Sequence, residues 1–261
     1  MKSGQPTRFV IYGSMRTGSN FLVSLLNQFE GVVCHGEAFN PNFVGLRPDY
    51  SRNLRIPRKA THKRDKNASD FYVRLMVDTP PDTSVGFKIF PGHNPHMLNI
   101  TLSDPAIRKI ILRRNIVESF ISLCQAEQSK VWMISRNDRE AEAAKRQRAL
   151  QPVAFDASRF LKYKKTVDTF HKHVDQRLAQ GRHAVMRLEY GDLLASDAST
   201  RISAFLGISV PPSIAPSPLA KINPLSILER VTNPTEMTRF LHKSGLASTD
   251  KSVTAYTSSV P

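Results

Sequence analysis

The chain has 261 residues, of which 40% are hydrophobic and 23% charged, enough for one apolar core and unlike a disordered chain. No apolar run approaches the roughly 20 residues that a membrane-spanning helix needs, and the first residues, MKSGQPTRF, lack the apolar run of a secretory signal. We therefore expect neither a transmembrane nor an exported protein, and a cytoplasmic location. Cys34 and Cys124 show no zinc-ligand spacing with histidine, so no metal site is expected.

The second global feature is positive charge, because 37 Lys and Arg face 22 Asp and Glu, a formal net charge of +15. Residues 47–66 and residues 130–165 each carry a net charge of +6 and so supply 12 of the 15. Such an excess favours an anionic partner: a nucleic acid, an anionic membrane surface or a multiply charged small molecule. A solvated basic face with no partner explains the charge equally well, so charge alone does not choose.

Apolar runs typical of strands alternate along the chain with segments of helical periodicity. Strands are predicted at residues 8–12, 32–34, 85–90, 107–112 and 183–188, and helices at 21–29, 69–77, 115–124, 130–150, 155–178 and 200–206, with a further helix starting at Asn94-Pro95. This alternation predicts an α/β fold with a mainly parallel central sheet and right-handed crossovers. We expect a single domain over residues 1–245, with a basic loop excursion at 41–67 and a mobile tail at 246–261.

The segment Gly13 to Ser19 lies between the first predicted strand and a helix, where loop amides and the helix dipole form an anion site. It lacks the Lys-[Ser/Thr] pair of a Walker A loop, since Ser19-Asn20 stands at that place and the basic residue is Arg16. The strand at 107–112 is followed by Arg113-Arg114 rather than by an Mg²⁺-binding aspartate. The loop therefore predicts a phosphate-like anion held without a metal.

A second candidate anion site is the corner at Arg114 and the helix that follows it. Ser122 lies eight residues after Arg114, roughly two turns or about 12 Å along a helix axis. A long arginine side chain and a serine hydroxyl converging on one phosphate form a charge-assisted pair. Helical periodicity also places a serine at such a position by chance, so this spacing alone is weak.

In order, the segments SMRTGSNFL, HGEAFNP, VGFKI, KIILRRNIVESFISL and LEYGDLL followed by FLG resemble the sulfotransferases that use 3′-phosphoadenosine 5′-phosphosulfate (PAPS). The likeness is greatest to the bacterial carbohydrate branch, the Nod-factor and Stf-type enzymes, and runs from about residue 8 to about residue 244. The resemblance implies a P-loop-like three-layer α/β sandwich. It also implies transfer of a sulfuryl group from PAPS to a hydroxyl of a carbohydrate or glycolipid, with the bisphosphate PAP as product.

The resemblance also implies roles for single residues. The 5′-phosphosulfate loop corresponds to Ser14, Arg16, Thr17, Gly18, Ser19 and Asn20, and the 3′-phosphate motif to Arg114 and Ser122. Lys88 corresponds to the strand lysine that faces the transferring group, and Tyr190, Asp192 and Leu193 to a structural block. The chain departs from the family at Asn20, where Ser or Thr is common, and at Phe90, where the cytosolic branch has its histidine base. The C-terminal Arg-Lys-Gly phosphate loop of that branch is not found in this sequence, and the segment that replaces it, near Lys221 to Arg230, is unassigned.

Two residues after the second predicted strand, His35 and Glu37, are candidates for the base that takes the acceptor proton. Both are also candidates, with Lys88, for binding the acceptor. His35 has the more convenient ordinary pKa, whereas the resemblance and nearby cationic groups favour Glu37. Two rival functions stay open at this point: a P-loop kinase with a degenerate loop, and a basic nucleic-acid-binding protein. With PAPS as the preferred co-substrate, we expect no nucleic-acid partner, while peripheral contact with anionic surfaces is compatible with the charge.

Overall fold

The computed structural model describes residues 7–53, 56–77, 82–134, 139–209 and 225–246. The strands are β1 (Arg8–Tyr12), β2 (Val32–Cys34), β3 (Ser84–Ile89), β4 (Arg108–Arg113) and β5 (Val185–Glu189). The helices are α1 (Ser19–Leu26), α2 (Pro48–Asn53), α3 (Thr61–Lys66), α4 (Ala68–Val77), α5 (Pro95–Ser103), α6 (Ile116–Ser129), α7 (Arg139–Ala149), α8 (Ala157–Leu178), α9 (Ala198–Leu206) and α10 (Pro234–Lys243). In the described ranges, none of the helices has both the length and the apolar character that a bilayer crossing demands.

The five strands form one sheet in the order β2-β3-β1-β4-β5, and every neighbouring pair is parallel. The central strand β1 has Tyr12 opposite Ile89 of β3 and Ile111 of β4. The carboxyl ends of β1, β3 and β4 are therefore nearly level. In an open parallel sheet this edge is where ligands bind.

Alternate residues of the central strands face two different apolar layers, as the two-residue period of a strand requires. One layer joins Val10 and Tyr12 to residues of α4, α5 and the later part of α8, including Leu75, Met97 and Val174. The other joins Phe9, Ile11 and their neighbours to α1 and α9. Helices thus cover both faces of the sheet, and the predicted three-layer α/β sandwich is confirmed.

The chain divides into two compact units, one of residues 1–113 and 167–216 and the other of residues 114–166 and 217–261. The sheet and its two layers belong to the first unit. The second unit has its own apolar cluster, in which Phe120 of α6 and Phe155 pack edge to face at a ring-centroid distance of 5.9 Å. The single domain over 1–245 stays a prediction.

Two segments differ from their predicted structure. The basic segment 41–67 contains α2 and α3, two short helices whose six-residue length gives too few turns for a periodic pattern. The helix predicted over 130–150 is α7 and begins only at Arg139, and residues 131–134 are not helical. The sequence also missed α10. The tail expected at 246–261 lies outside the described residues from 247 onward.

Candidate active site

The loop after β1 is shaped by two residues with left-handed backbone. Arg16 has φ 67°, rare for a residue with a side chain, and Gly18 has φ 88° as the N-cap of α1. Gly18 provides no side chain to cap the first amides of α1, so these donors point into the loop without that internal acceptor. Within the loop, the Thr17 hydroxyl donates to the Ser14 carbonyl at 2.8 Å and fixes its curvature. Such a run of amides forms an anion-binding concavity.

Gly18 is required for a second reason, the close approach of an aromatic ring. A Cβ at this position would lie 2.5 Å from Cδ2 of Tyr190. Tyr190 begins a short 3₁₀ helix in which Asp192 accepts a hydrogen bond from the Glu189 amide at 2.7 Å. The block containing Tyr190 and Asp192 therefore packs against the loop at Gly18.

Lys88 of β3 lies beneath the start of α1 and links it to the loop after β2. Its ammonium donates to the Ser19 hydroxyl at 3.3 Å and to Oδ1 of Asn20, and forms an ion pair with Oε1 of Glu37 at 3.3 Å. The side chain is 3% exposed, and burial lowers the pKa of Lys88 while Glu37 opposes that change. Arg16 also lowers this pKa, so the two cationic groups are within electrostatic range. Asn20, which stands where the sulfotransferases that the sequence resembles commonly have Ser or Thr, therefore binds Lys88.

Glu37 follows β2 and receives polar contacts on both carboxylate oxygens. Besides Lys88 on Oε1, Oε2 accepts a hydrogen bond from Nδ2 of Asn40 at 2.7 Å and lies 3.4 Å from Nε2 of His93. Burial raises the pKa of Glu37, but the contacts with His93, Lys88 and Asn40 outweigh it and lower the pKa to about 2. Glu37 is therefore ionised throughout the neutral range.

A buried arginine holds the segment that carries Glu37. Nη1 of Arg64, from α3, donates to the carbonyls of Ala38, Asn40 and Phe43 at 2.8 to 3.3 Å. The Arg64 guanidinium also pairs with Asp65 at 2.7 Å. Arg64, one of the basic residues of segment 41–67, therefore has a structural role, because buried carbonyl groups need hydrogen-bond donors.

His35 occupies a different environment from Glu37. Its ring is fully buried, packs edge to face on Tyr50 with a centroid distance of 5.3 Å, and accepts a hydrogen bond from the Arg47 amide at Nδ1. Burial lowers the pKa of His35 to about 4. Nε2 has no hydrogen-bond partner among the described residues, and none of their hydrogen bonds or ion pairs joins His35 to Glu37.

The second candidate anion site belongs to the second unit. Asn115 caps α6 by accepting hydrogen bonds from the amides of Val117 and Glu118, a contribution of about 1 kcal/mol to helix stability. Nε and Nη2 of Arg114 donate to Oε2 of Glu118 at 2.9 and 2.7 Å. Ser122 is half-buried on the same helix. The Arg114 side chain thus lies beside the first turn of α6, where Glu118 neutralises its guanidinium.

The fold therefore brings the first loop, Lys88 and Glu37 together, and it places Arg114 just before α6 and Ser122 within it. Sequence reasoning missed His93, Asn40 and Arg64. Two of the three carried a usable signal, since Asn40 lies inside the HGEAFNP segment and His93 follows the carboxyl end of β3. Arg64 carried none, because its position depends on α3. No group of three or more His, Cys, Asp and Glu that could hold a metal ion occurs among the described residues.

Comparison with known proteins finds similarity to nodulation protein H. The chain is 27% identical over 207 residues to that protein from Rhizobium tropici, covering 77% of this chain and 76% of the relative. It is 27% identical over 198 residues to nodulation protein H of Rhizobium meliloti (strain 1021), covering 72% of each. A sulfotransferase structure from Alicyclobacillus acidocaldarius covers 94% of this chain and 96% of its own, at 19% identity and a TM-score of 0.49. No family model matches the sequence. The resemblance to PAPS-dependent sulfotransferases of the Nod-factor branch is confirmed.

Proposed function

We propose that this protein is a sulfotransferase that moves a sulfuryl group from PAPS to a hydroxyl of a carbohydrate or glycolipid, with Glu37 as general base. The observation that carries the proposal is the position of Lys88. One buried ammonium contacts the carboxylate of Glu37 and the first two residues of α1, so a base and an anion-binding loop share a single cation. The similarity to nodulation protein H supports the choice of PAPS and of a carbohydrate-type acceptor.

The residues present fit the donor. Left-handed backbone at Arg16 and Gly18 leaves the α1 amides facing the loop, which suits the 5′-phosphosulfate. We assign Ser14, Thr17, Ser19 and Asn20 to the same loop around that group. Arg114 and Ser122 are assigned to the 3′-phosphate, as the resemblance implies.

The transfer is an in-line displacement in which the acceptor oxygen attacks sulfur. The bond from sulfur to the bridging oxygen of the 5′-phosphate breaks, and its electron pair stays on the phosphate. The hydroxyl proton passes to Glu37, which later releases it to solvent. Arg16 and Lys88 stabilise the charge that grows on the leaving phosphate, and stabilisation of developing charge is the main source of rate in such a site. The products are a sulfate ester and PAP.

Glu37 suits the role of base better than His35 for geometric reasons. Glu37 contacts Lys88, and its side chain is 18% exposed. His35 is fully buried, and its Nδ1 is engaged by the Arg47 amide. His35 is therefore better interpreted as a core histidine.

The test is transfer of ³⁵S-labelled PAPS to a panel of neutral oligosaccharides and a glycolipid in detergent, alongside thermal shift with PAP, ATP and duplex DNA. We expect labelled product and stabilisation by PAP in excess of that by ATP or DNA. Activity should survive EDTA, because β4 is followed by Arg114 rather than by a metal-binding carboxylate. Loss in EDTA that Mg²⁺ restores, or phosphoryl transfer from ATP, would instead indicate the kinase function.

A further inference from the structure

His93 lies three residues after Phe90, in the tight turn that follows β3. The His93 amide donates to the Phe90 carbonyl at 3.1 Å, and Gly92 provides the left-handed φ of 82° that the turn needs. In return the Phe90 amide donates to Nδ1 of His93 at 3.2 Å. The two rings also pack against each other, tilted by 32°, with centroids 5.4 Å apart. The turn thus fixes the imidazole in both position and orientation.

This hydrogen bond also determines where the ring of His93 carries its proton. Since Nδ1 accepts from an amide, the neutral ring has its proton on Nε2. Nε2 is the atom that lies 3.4 Å from Oε2 of Glu37, so the protonated nitrogen is the one that faces the carboxylate. The His93 side chain is 4% exposed, and an imidazole buried there needs an acceptor.

The contacts of Glu37 are divided unequally between its two oxygens. Oε2 faces two donors, His93 and Asn40, which match its two lone pairs. Oε1 faces Lys88 alone among the described residues, and so keeps one lone pair for a further proton. The oxygen that can still accept a proton is therefore Oε1, which lies beside the Lys88 ammonium that also contacts α1.

We propose that His93 is a positioning residue of the sulfuryl transfer, which together with Asn40 fixes Glu37 so that Oε1 receives the acceptor proton. The inference rests on the proposed function. It gives the turn after β3 a role in the site even though Phe90 stands where a histidine base occurs in the cytosolic branch. The imidazole acts through Glu37 and takes no proton from the acceptor itself.

Removal of the His93 hydrogen bond has two opposite effects on the reaction, which makes the role measurable. The hydrogen bond lowers the pKa of Glu37, so its loss makes Glu37 a stronger base and would by itself speed proton transfer. Loss of orientation slows the same step, and a displacement of about 1 Å can cost about 10²-fold. A slower variant therefore reports orientation, because the change in base strength acts in the other direction.

The experiment compares His93→Phe, which keeps a ring against Phe90, with His93→Gln, whose amide restores a donor. Each is assayed with PAPS and the best acceptor of the oligosaccharide panel, and PAP affinity and thermal stability are measured alongside. We expect kcat of His93→Phe to fall by about 10-fold to about 10²-fold, with acceptor KM and PAP affinity nearly unchanged. His93→Gln should recover most of the loss. The exposed His96, three residues further on, provides the control His96→Gln, which should leave kcat unchanged.

The alternative outcomes separate this inference from the function it rests on. If the unaltered chain turns over and His93→Phe matches or exceeds its kcat, the positioning role is wrong and the sulfotransferase function stands. If His93→Phe and His93→Gln lose kcat equally while both keep PAP affinity, the donor is not what matters and the inference also fails. If the unaltered chain transfers sulfuryl to none of the acceptors, the proposed function fails and this inference with it.

Discussion

Glu37 and Glu118 each neutralise a basic side chain of a candidate anion site, yet the two pairs arise in different ways. Glu118 pairs at 2.7 Å with Arg114, four residues earlier in the chain, and the two side chains retain access to solvent at 35% and 14% exposure. Glu37 pairs with Lys88 across the sheet, and the lysine is 3% exposed. The first pair is local and hydrated, and the second is remote and buried.

This difference determines how each pair responds to a competing ligand and to the mutation of one member. A partly exposed pair at i,i+4 spacing contributes less than about 1 kcal/mol and yields readily to a stronger anionic ligand. Removal of one member of a buried pair leaves an uncompensated charge and costs several kcal/mol. The comparison predicts that the Glu37 region controls turnover, whereas the Arg114 region controls only the strength of nucleotide binding.

The largest effect is expected from Glu37→Gln. The amide cannot accept the hydroxyl proton, so kcat should fall by at least about 10²-fold, the low end for lost general-base catalysis, while PAP binding stays nearly intact. Steady-state kinetics and calorimetric titration with PAP measure the two quantities. Glu30→Gln, at an exposed carboxylate after α1, is the matched control. If Glu37→Gln keeps most of its turnover and His35→Gln does not, the assigned base is wrong.

The burial of His35, two residues before Glu37, should make the stability of the folded chain sensitive to acid. The pKa of His35 is about 4 in the folded chain against an ordinary 6.5, so the unfolded state binds more protons between these values. The free energy of unfolding should fall as pH drops from about 6.5 to about 4, by at most about 3 kcal/mol from this group. Burial lowers the pKa of His171 in the same way, but His171 is present in both the unaltered chain and His35→Gln. The difference in acid sensitivity between these two chains therefore isolates His35. Urea unfolding at about pH 7 and about pH 4.5 should show a smaller loss in His35→Gln; equal losses would contradict the prediction.

On the Arg114 side, Arg114→Ala should weaken PAP binding by about 1.5–3 kcal/mol, the range for a hydrogen bond to a charged group. Acceptor KM should not move. Arg113→Ala is the neighbouring control, because Arg113 pairs instead with Asp175 at 2.5 Å. Calorimetric titration that gives the same PAP affinity for Arg114→Ala and the unaltered chain would remove the basis of the 3′-phosphate assignment.

The smallest effect is expected from Glu118→Gln. Neutralising this carboxylate removes a negative charge beside the Arg114 guanidinium, near the proposed phosphate site, so PAP should bind more tightly, by less than about 1 kcal/mol. The gain should shrink at high salt, because partly exposed charges are screened. Weaker PAP binding in Glu118→Gln would show that the carboxylate supports nucleotide binding rather than competing with it.

The sequence by itself determined the features that depend on neighbours along the chain. Hydrophobic periodicity placed all five strands within two residues of their observed bounds, and the capping residues Asn94 and Asn115 marked the starts of α5 and α6. The loop Gly13 to Ser19 was identifiable because it is a polar, glycine-containing segment between a predicted strand and a predicted helix, which is typical of phosphate-binding loops. The second candidate anion site was likewise predicted from a local spacing, the eight residues between Arg114 and Ser122.

Only the tertiary structure decided which groups surround Glu37. Lys88 and His93 reach it from β3 and the turn after it, Asn40 from its own loop, and Arg64 holds that loop from α3. Apart from the Asn40 contact, which is three residues away, these contacts have no fixed separation along the chain. They depend on how neighbouring strands align and on a short helix without a periodic pattern. The lowered pKa of Glu37 is a property of that assembly, because it is the sum of burial and of charges brought together by the fold.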